Sequence, residues 1–143
     1  MARAKITASA VPENRRMRFL VELFGERTFI RGEGLVFDWA ARLSRDYDGG
    51  LWEFYKLSNG GAYVAPRRPE RLRVSVALNG YEGAVSADAF GVVVTLFALN
   101  ELANDLDMRE RSEECDKIVD AYHALRDFAL GHDEAPAILR AID

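Results

Sequence analysis

Apolar positions recur at helical spacing in the first part of this chain, in two stripes whose members mostly lie three or four residues apart. The first stripe follows Val11-Pro12, where a proline suits the first turn of a helix because its missing N–H has no partner there. It stops at Gly25, a common residue just past a helix end, and the second stripe stops before Asp48. Each predicts an amphipathic helix; their members are Met17, Leu20, Val21 and Phe24, and then Leu35, Val36, Trp39, Ala40 and Leu43.

The pattern changes to that of β-strands between residues 51 and 85. Asn59-Gly60 separates two strand-like runs, and such a pair predicts a tight hairpin because both residues tolerate a positive φ. Residues 72–78 alternate apolar and polar up to Leu78, as a strand with one buried face does. Asn79-Gly80 then marks a turn before a short strand at 81–85. The pattern predicts an antiparallel meander of three or four strands.

The remaining residues predict helices. Ser86 is a suitable N-cap, and Asp88 in the first turn suits the helix dipole, for a helix that is apolar almost all round. A further helix ends at Gly131, and Asp133 is expected to cap a last one. Helices before and after an antiparallel sheet predict one α+β domain of about five helices over residues 1–143. The apolar stripe of the penultimate helix consists of Cys115, Ile118, Tyr122, Leu125 and Ala129.

Composition is that of a soluble globular protein, with 49% apolar and 29% charged residues among 143. The longest apolar run, residues 89–99, is short of the ~20 residues that span a bilayer. A single cysteine excludes an internal disulfide framework, and the first ten residues lack the apolar segment of a signal peptide. We therefore expect a cytoplasmic protein with no membrane contact, and a monomer because no long exposed apolar helix demands a partner.

Charge is unevenly distributed along the chain, although the formal net charge is only −4. Residues 1–31 hold seven basic and three acidic side chains, whereas residues 101–143 hold five basic and twelve acidic ones. The balance excludes a strongly basic nucleic-acid binder and disfavours a polyanionic imitation of DNA. Two explanations of the asymmetry stay open: solvated helix faces, or two patches that meet different surfaces.

Residue types that usually carry catalysis or metal binding are sparse. His123 and His132 lack metal-ligand spacing, and a histidine at a helix end most often makes a capping or dipole contact. Cys115 lies on an apolar stripe, which is typical of core packing. The segment from Asp46 begins like a calcium loop, but its twelfth position is Leu57, where a glutamate is required. The residues indicate no catalytic site, metal or cofactor, and favour a binding or inhibitory protein.

Two arginine clusters leave a nucleic-acid-binding alternative open. Their side chains could lie beside aromatic residues on which bases stack. In the other interpretation the aromatics pack against the helices and the arginines are solvated, which we favour because the rest of the chain repels phosphate. The clusters are Arg15, Arg16 and Arg18, and Arg67, Arg68, Arg71 and Arg73; the aromatics are Trp52, Tyr55, Tyr63 and Tyr81.

The segment 46–66 reads DYDGGLWEFYKLSNGGAYVAP and resembles the ArdB/KlcA antirestriction protein family. The resemblance extends through residues 11–13, 29–33, 35–39, 79–83, 86–89 and 96–100 and reaches residues 141–143, so it covers nearly the whole chain. It implies a small protein of plasmids and other mobile elements that relieves type I restriction of incoming DNA without catalysing a reaction. The implied partner is the type I restriction–modification complex or a host factor acting on the same DNA.

Inhibition by a protein contact is our hypothesis for the mechanism, with no direct binding to DNA expected. A DNA mimic must present about one negative charge per ~1.7 Å of duplex axis. Here even the acidic final third is interrupted by basic residues. Candidate partner-binding residues lie in segment 46–66 and in the acidic C-terminal region. Within segment 46–66, the glycines are also explained as turn residues and Trp52 as a core residue. The candidates are Asp46, Asp48, Trp52, Tyr55 and Asn59, and Asp133, Glu134 and Asp143.

Overall fold

The structure is a computed structural model that describes residues 5–143; residues 1–4, the start of the segment assessed above for a signal peptide, lie outside it. Five helices and five strands follow one another in the described residues, which confirms the α+β class. They are β1 (Ala8–Ala10), α1 (Arg16–Phe24), α2 (Phe29–Leu43), β2 (Trp52–Leu57), β3 (Ala62–Pro66), β4 (Leu72–Val76), β5 (Tyr81–Val85), α3 (Ala87–Met108), α4 (Ser112–Leu130) and α5 (Ala135–Ile142).

The strands form two antiparallel sheets, with the orders β1-β2-β3 and β4-β5, so the expectation of one continuous meander was wrong. Helix α3 occupies the free edge of β3, where β4 would have to pair to extend the sheet. The Val64 N–H donates to the Thr95 hydroxyl at 3.2 Å, and that hydroxyl lies 3.4 Å from the Val64 carbonyl oxygen. Strand β1 was missed, because its three residues are small, exposed and without an apolar pattern.

Helix α3 is the centre of the core and packs against α2, α4, α5 and β3. It is the one helix in the described part of the chain that is long and apolar enough to cross a membrane, and 72% of its most apolar window is buried within the fold. Gly91 allows it to approach β3. A Cβ there would lie 2.4 Å from both the Ala65 Cβ and the Val64 carbonyl oxygen.

Two local expectations were wrong and one cap was confirmed. Leu78 is 89% exposed, because β4 already ends at Val76 and Leu78 lies in the turn. Asp133 does not cap α5; the N-cap is Glu134, which makes no side-chain capping bond. The Ser86 hydroxyl does cap α3, accepting the Ala89 N–H at 3.1 Å.

Candidate functional site

The loop between α2 and β2 is held against β4 by Asp46. Its Oδ2 accepts the Arg73 backbone N–H at 2.8 Å and the Nε at 3.1 Å, while its Oδ1 accepts from Nη2 at 2.8 Å. These bonds and the Arg73 guanidinium hold the pKa of Asp46 well below its usual range. Arg68 donates to the Asp46 carbonyl oxygen at 2.9 Å. Asp46 is thus engaged within the fold.

Asp48 and Trp52, from the same predicted set, have opposite environments. The Asp48 side chain is 88% exposed, and its ion-pair contact is a 3.9 Å approach to Arg68. Trp52 is buried, and its indole N–H donates to the Tyr47 hydroxyl at 3.2 Å. The ring also packs edge-on against Phe37 with 5.7 Å between centroids. Asp48 is available to a partner, whereas Trp52 belongs to the core.

Tyr55 and Asn59 are both used internally. The Tyr55 ring stacks on Tyr63 with 4.9 Å between centroids, and burial raises the pKa of Tyr55. The Asn59 side chain donates to the Ala124 carbonyl oxygen at 2.8 Å and accepts the Gly61 N–H at 3.0 Å. Asn59 therefore fastens the hairpin turn to α4, as a turn residue with a second, tertiary role.

The three predicted acidic residues of the C-terminal region do not converge. Glu134 accepts from the Ser86 N–H at 3.0 Å and from the Ser86 hydroxyl, and it lies 3.4 Å from Arg71. Burial opposes its ionisation, but the Ser86 bonds leave the pKa of Glu134 below its usual value. Asp133 and Asp143 are exposed at opposite ends of α5 and form no ion pair with the described residues.

A polar network that the sequence did not reveal joins β3, α3 and the α4–α5 turn. The Tyr63 hydroxyl donates to Asp88 Oδ1 at 2.7 Å, and His132 Nε2 lies 2.8 Å from Asp88 Oδ2. The Glu134 N–H donates to His132 Nδ1 at 2.9 Å, a bond open only to the neutral ring. Distance along the chain concealed the group: Tyr63 precedes Asp88 by 25 residues, and His132 follows it by 44.

The network of Tyr63, Asp88 and His132 is joined by hydrogen bonds and contains no activated nucleophile. The hydrogen bond to Asp88 raises the pKa of His132 against the opposing effect of burial. Burial raises the pKa of Tyr63 far above its usual value, with the Asp88 bond adding to the shift, so its hydroxyl stays protonated as a donor. The pKa of Asp88 is lowered, since the bonds from His132 and Tyr63 outweigh its burial. The chemistry fits a structural lock beside an open cleft of about 740 Å³.

The second arginine cluster is largely neutralised by neighbouring carboxylates. Each of its four guanidinium groups lies within ion-pair distance of at least one acid. Such pairing weakens the attraction of this face to phosphate. The partners are Glu53 for Arg67, Asp48 and Glu70 for Arg68, Glu134 for Arg71 and Asp46 for Arg73.

An acidic face on α4 accounts for much of the charge of the final third. Its exposed carboxylates lie three, four and seven residues apart, which places them on one side of the helix. The face borders a groove of about 720 Å³ with the hairpin turn, and Lys117 and Lys56 line the same groove. The carboxylates are those of Glu113, Asp116, Asp120 and Asp127.

Metal and thiol chemistry find no support in the described part of the chain. No group of three or more histidine, cysteine, aspartate or glutamate side chains there could hold a metal ion. The Cys115 thiol donates to the Ala103 carbonyl oxygen at 3.4 Å, and burial raises its pKa.

Comparison with known proteins gives consistent matches. The antirestriction protein family matches residues 45–143. The antirestriction protein KlcA of Escherichia coli is 49% identical over 96% of this chain and 95% of its own length. The uncharacterized protein YafX of Escherichia coli K12 is 37% identical over 97% of this chain and 89% of its own length.

A solved structure superimposes with a TM-score of 0.87 at 47% identity and covers 100% of both chains. It comes from work on the KlcA and ArdB proteins, described as having a novel fold and antirestriction activity against type I DNA restriction systems in vivo but not in vitro.

Proposed function

Because this chain belongs to the antirestriction protein family, we propose that it relieves the restriction of incoming DNA by type I restriction–modification systems. It does so in the cytoplasm of the recipient cell as an inhibitor that catalyses no reaction. Family membership carries this proposal, together with the match of the whole fold to KlcA and ArdB proteins with activity against type I systems.

The inhibition operates by contact with a protein and not by imitation of DNA. The interleaving of basic and acidic side chains supports this mechanism. Lys117 lies within the acidic face of α4, and Arg73 pairs with Asp46 at 2.8 Å. A groove that binds DNA recognises closely spaced negative charges. Basic side chains among the acidic ones interrupt that spacing on this protein.

The partner is the type I complex in its cellular setting, or a host factor acting on the same DNA. The activity of KlcA and ArdB proteins in vivo but not in vitro supports a requirement for a cellular component. Among the predicted contact residues, Asp48, Asp133 and Asp143 are exposed and largely free of internal bonds, so they are the ones available to that partner.

A plating assay tests the proposal. Unmodified phage is plated on a host with an active type I system, with and without expression of this protein, and modified phage on the same host is the control. The protein is expected to raise the plating efficiency of unmodified phage only. Equal efficiency with and without the protein would contradict the proposed function.

A competition experiment tests the mechanism. The tagged protein is captured with its partner from cells carrying the type I system, and duplex DNA is then added in excess. The contact is expected to survive, whereas displacement by DNA would indicate mimicry. Direct binding of the protein to DNA would instead favour a nucleic-acid-binding module. In that case a plot of log affinity against log salt concentration would fall with a slope of roughly 0.9 per phosphate contact.

A further inference from the structure

Each sheet edge in the fold has a different degree of protection. The Thr95 hydroxyl and α3 close the edge of β3. Helix α5 packs against β5, whose outer carbonyl oxygen at Ala84 accepts from Arg71 at 2.6 Å. Strand β1 has only three residues, and a very short edge strand offers little template for pairing. Strand β4, with five residues, is the longer strand with an edge facing open space.

The outer edge of β4 presents backbone groups that β5 does not use. The Arg73 N–H donates to Asp46, away from β5. Because N–H and C=O of one residue point to the same side in an antiparallel ladder, and the side repeats every second residue, Ser75 also directs both groups outward. Asp46 thus covers one end of the edge, and the backbone groups of Ser75 on this side form no hydrogen bond with another element among residues 5–143.

A groove of about 850 Å³ runs between this edge and the end of α2. Arg42 and Arg45 line it and form no ion pair with the described residues, whereas the carboxylate on the other side is that of Glu82. The third arginine of the groove, Arg73, is neutralised by Asp46. Unpaired positive charge therefore exceeds negative charge along the groove.

Apolar surface and an unpaired donor accompany this charge. Leu78, at one end of the groove, is 89% exposed. The ring of Trp39 lies under the Arg42 guanidinium at 4.0 Å, and its buried indole N–H has no acceptor within the part of the chain that the structure describes. Unpaired buried donors are uncommon in folded proteins.

We propose that the edge of β4 binds an extended, acidic segment of a partner protein by strand addition. The backbone of the segment pairs with the open groups of Ser75, and its carboxylates meet Arg42 and Arg45. Strand addition takes affinity from main-chain hydrogen bonds and specificity from the side chains beside the edge. This site stands on its own geometry and does not depend on the proposed function.

A peptide titration of the full chain tests this site. The probe is a peptide of about eight residues, the length of an ordinary strand, with alternating valine and glutamate. A valine–lysine peptide of equal length is the control. The glutamate peptide is expected to bind with at least about tenfold higher affinity and to slow amide hydrogen exchange at Ser75.

Two variants and two matched controls locate the contact. Ser75→Pro removes an outward N–H that β5 does not need, so the fold is expected to persist while binding is lost. The double variant Arg42→Glu, Arg45→Glu is expected to reverse the preference between the two peptides. Ala8→Pro, on the outer edge of β1, and Arg15→Glu, an exposed arginine elsewhere, are expected to change nothing.

Several results would overturn the proposal. These are equal affinity for both peptides, undiminished binding by a folded Ser75→Pro chain, or protection that appears at β1. The charge-reversal variant keeps the test decisive if the proline variant fails to fold, since its substitutions lie on exposed positions.

Discussion

The carboxylate of Asp46 accepts hydrogen bonds from both the backbone N–H and the guanidinium of Arg73, at distances of 2.8–3.1 Å. The two residues lie 27 positions apart in the sequence. The Asp46 side chain thereby covers the outward N–H of Arg73 on the edge of β4, neutralises the Arg73 guanidinium and anchors the α2–β2 loop. The loop that carries the exposed Asp48 is positioned by this contact.

Removing the Asp46 charge is expected to destabilise the protein in a pH-dependent way. The pKa of Asp46 is lowered in the fold, so its contribution is present above the unfolded value near 3.8 and disappears as the pH falls through the lower folded pKa. Urea denaturation of Asp46→Asn should show lower stability than the parent at neutral pH, and the difference should shrink in acid. A constant difference across this range would exclude the charge as its cause.

Substituting His132 is expected to have the opposite pH dependence. The pKa of His132 is raised, so the extra attraction between its protonated ring and the Asp88 carboxylate stabilises the fold below the unfolded value of 6.5 and is lost as the pH rises through the folded pKa. His132→Gln should therefore lose more stability at about pH 5.5 than at about pH 8.5. His123→Gln, the same substitution at an exposed position of α4, is the control.

Two glycines on helices give opposite predictions. Gly91→Ala forces a Cβ to within 2.4 Å of the β3 backbone, so it should cost about 1–3 kcal/mol in the free energy of unfolding. Gly34→Ala places a methyl group where no atom lies within 4 Å, and it should stabilise by up to about 1 kcal/mol through helix propensity. Thermal denaturation of both variants measures the contrast; similar effects would refute close packing of α3 on β3.

Exposed carboxylates separate functional from structural roles in the plating assay. Asp48→Ala and Asp143→Ala remove charges with little internal bonding, so stability should persist while relief of restriction falls. Asp38→Ala removes an exposed carboxylate of α2 and is the matched control. Unchanged relief in both test variants would remove these residues from the candidate contact surface.

The β4 edge is expected to matter for the same activity. Ser75→Pro should lower the plating efficiency that the protein confers, because an extended partner segment could no longer pair with the edge. Ala8→Pro should retain full relief, since its substitution lies on the other sheet. Relief by the parent chain combined with equal relief by Ser75→Pro would show that this groove does not serve the antirestriction partner.

Local patterns in the sequence were sufficient for most elements. The stripe from Met17 to Phe24 and the Asn59-Gly60 turn correctly predicted α1 and the β2–β3 hairpin, since periodicity and turn chemistry act over neighbouring residues. Strand β1 was not predicted, because it is held in place by pairing with β2, a long-range contact between residues such as Ala8 and Leu57 that no local pattern indicates.

Charge composition, secondary-structure class and family resemblance were determined by the sequence itself, because each depends on residue identity and local order. Which polar residues remain free was decided only by the tertiary structure. Asp46 and Glu134 turned out to be bonded to Arg73 and Ser86, whereas Asp48 stayed exposed. The reason is physical: a carboxylate far along the chain is satisfied by whichever donor folding brings to it, and no local pattern specifies that donor.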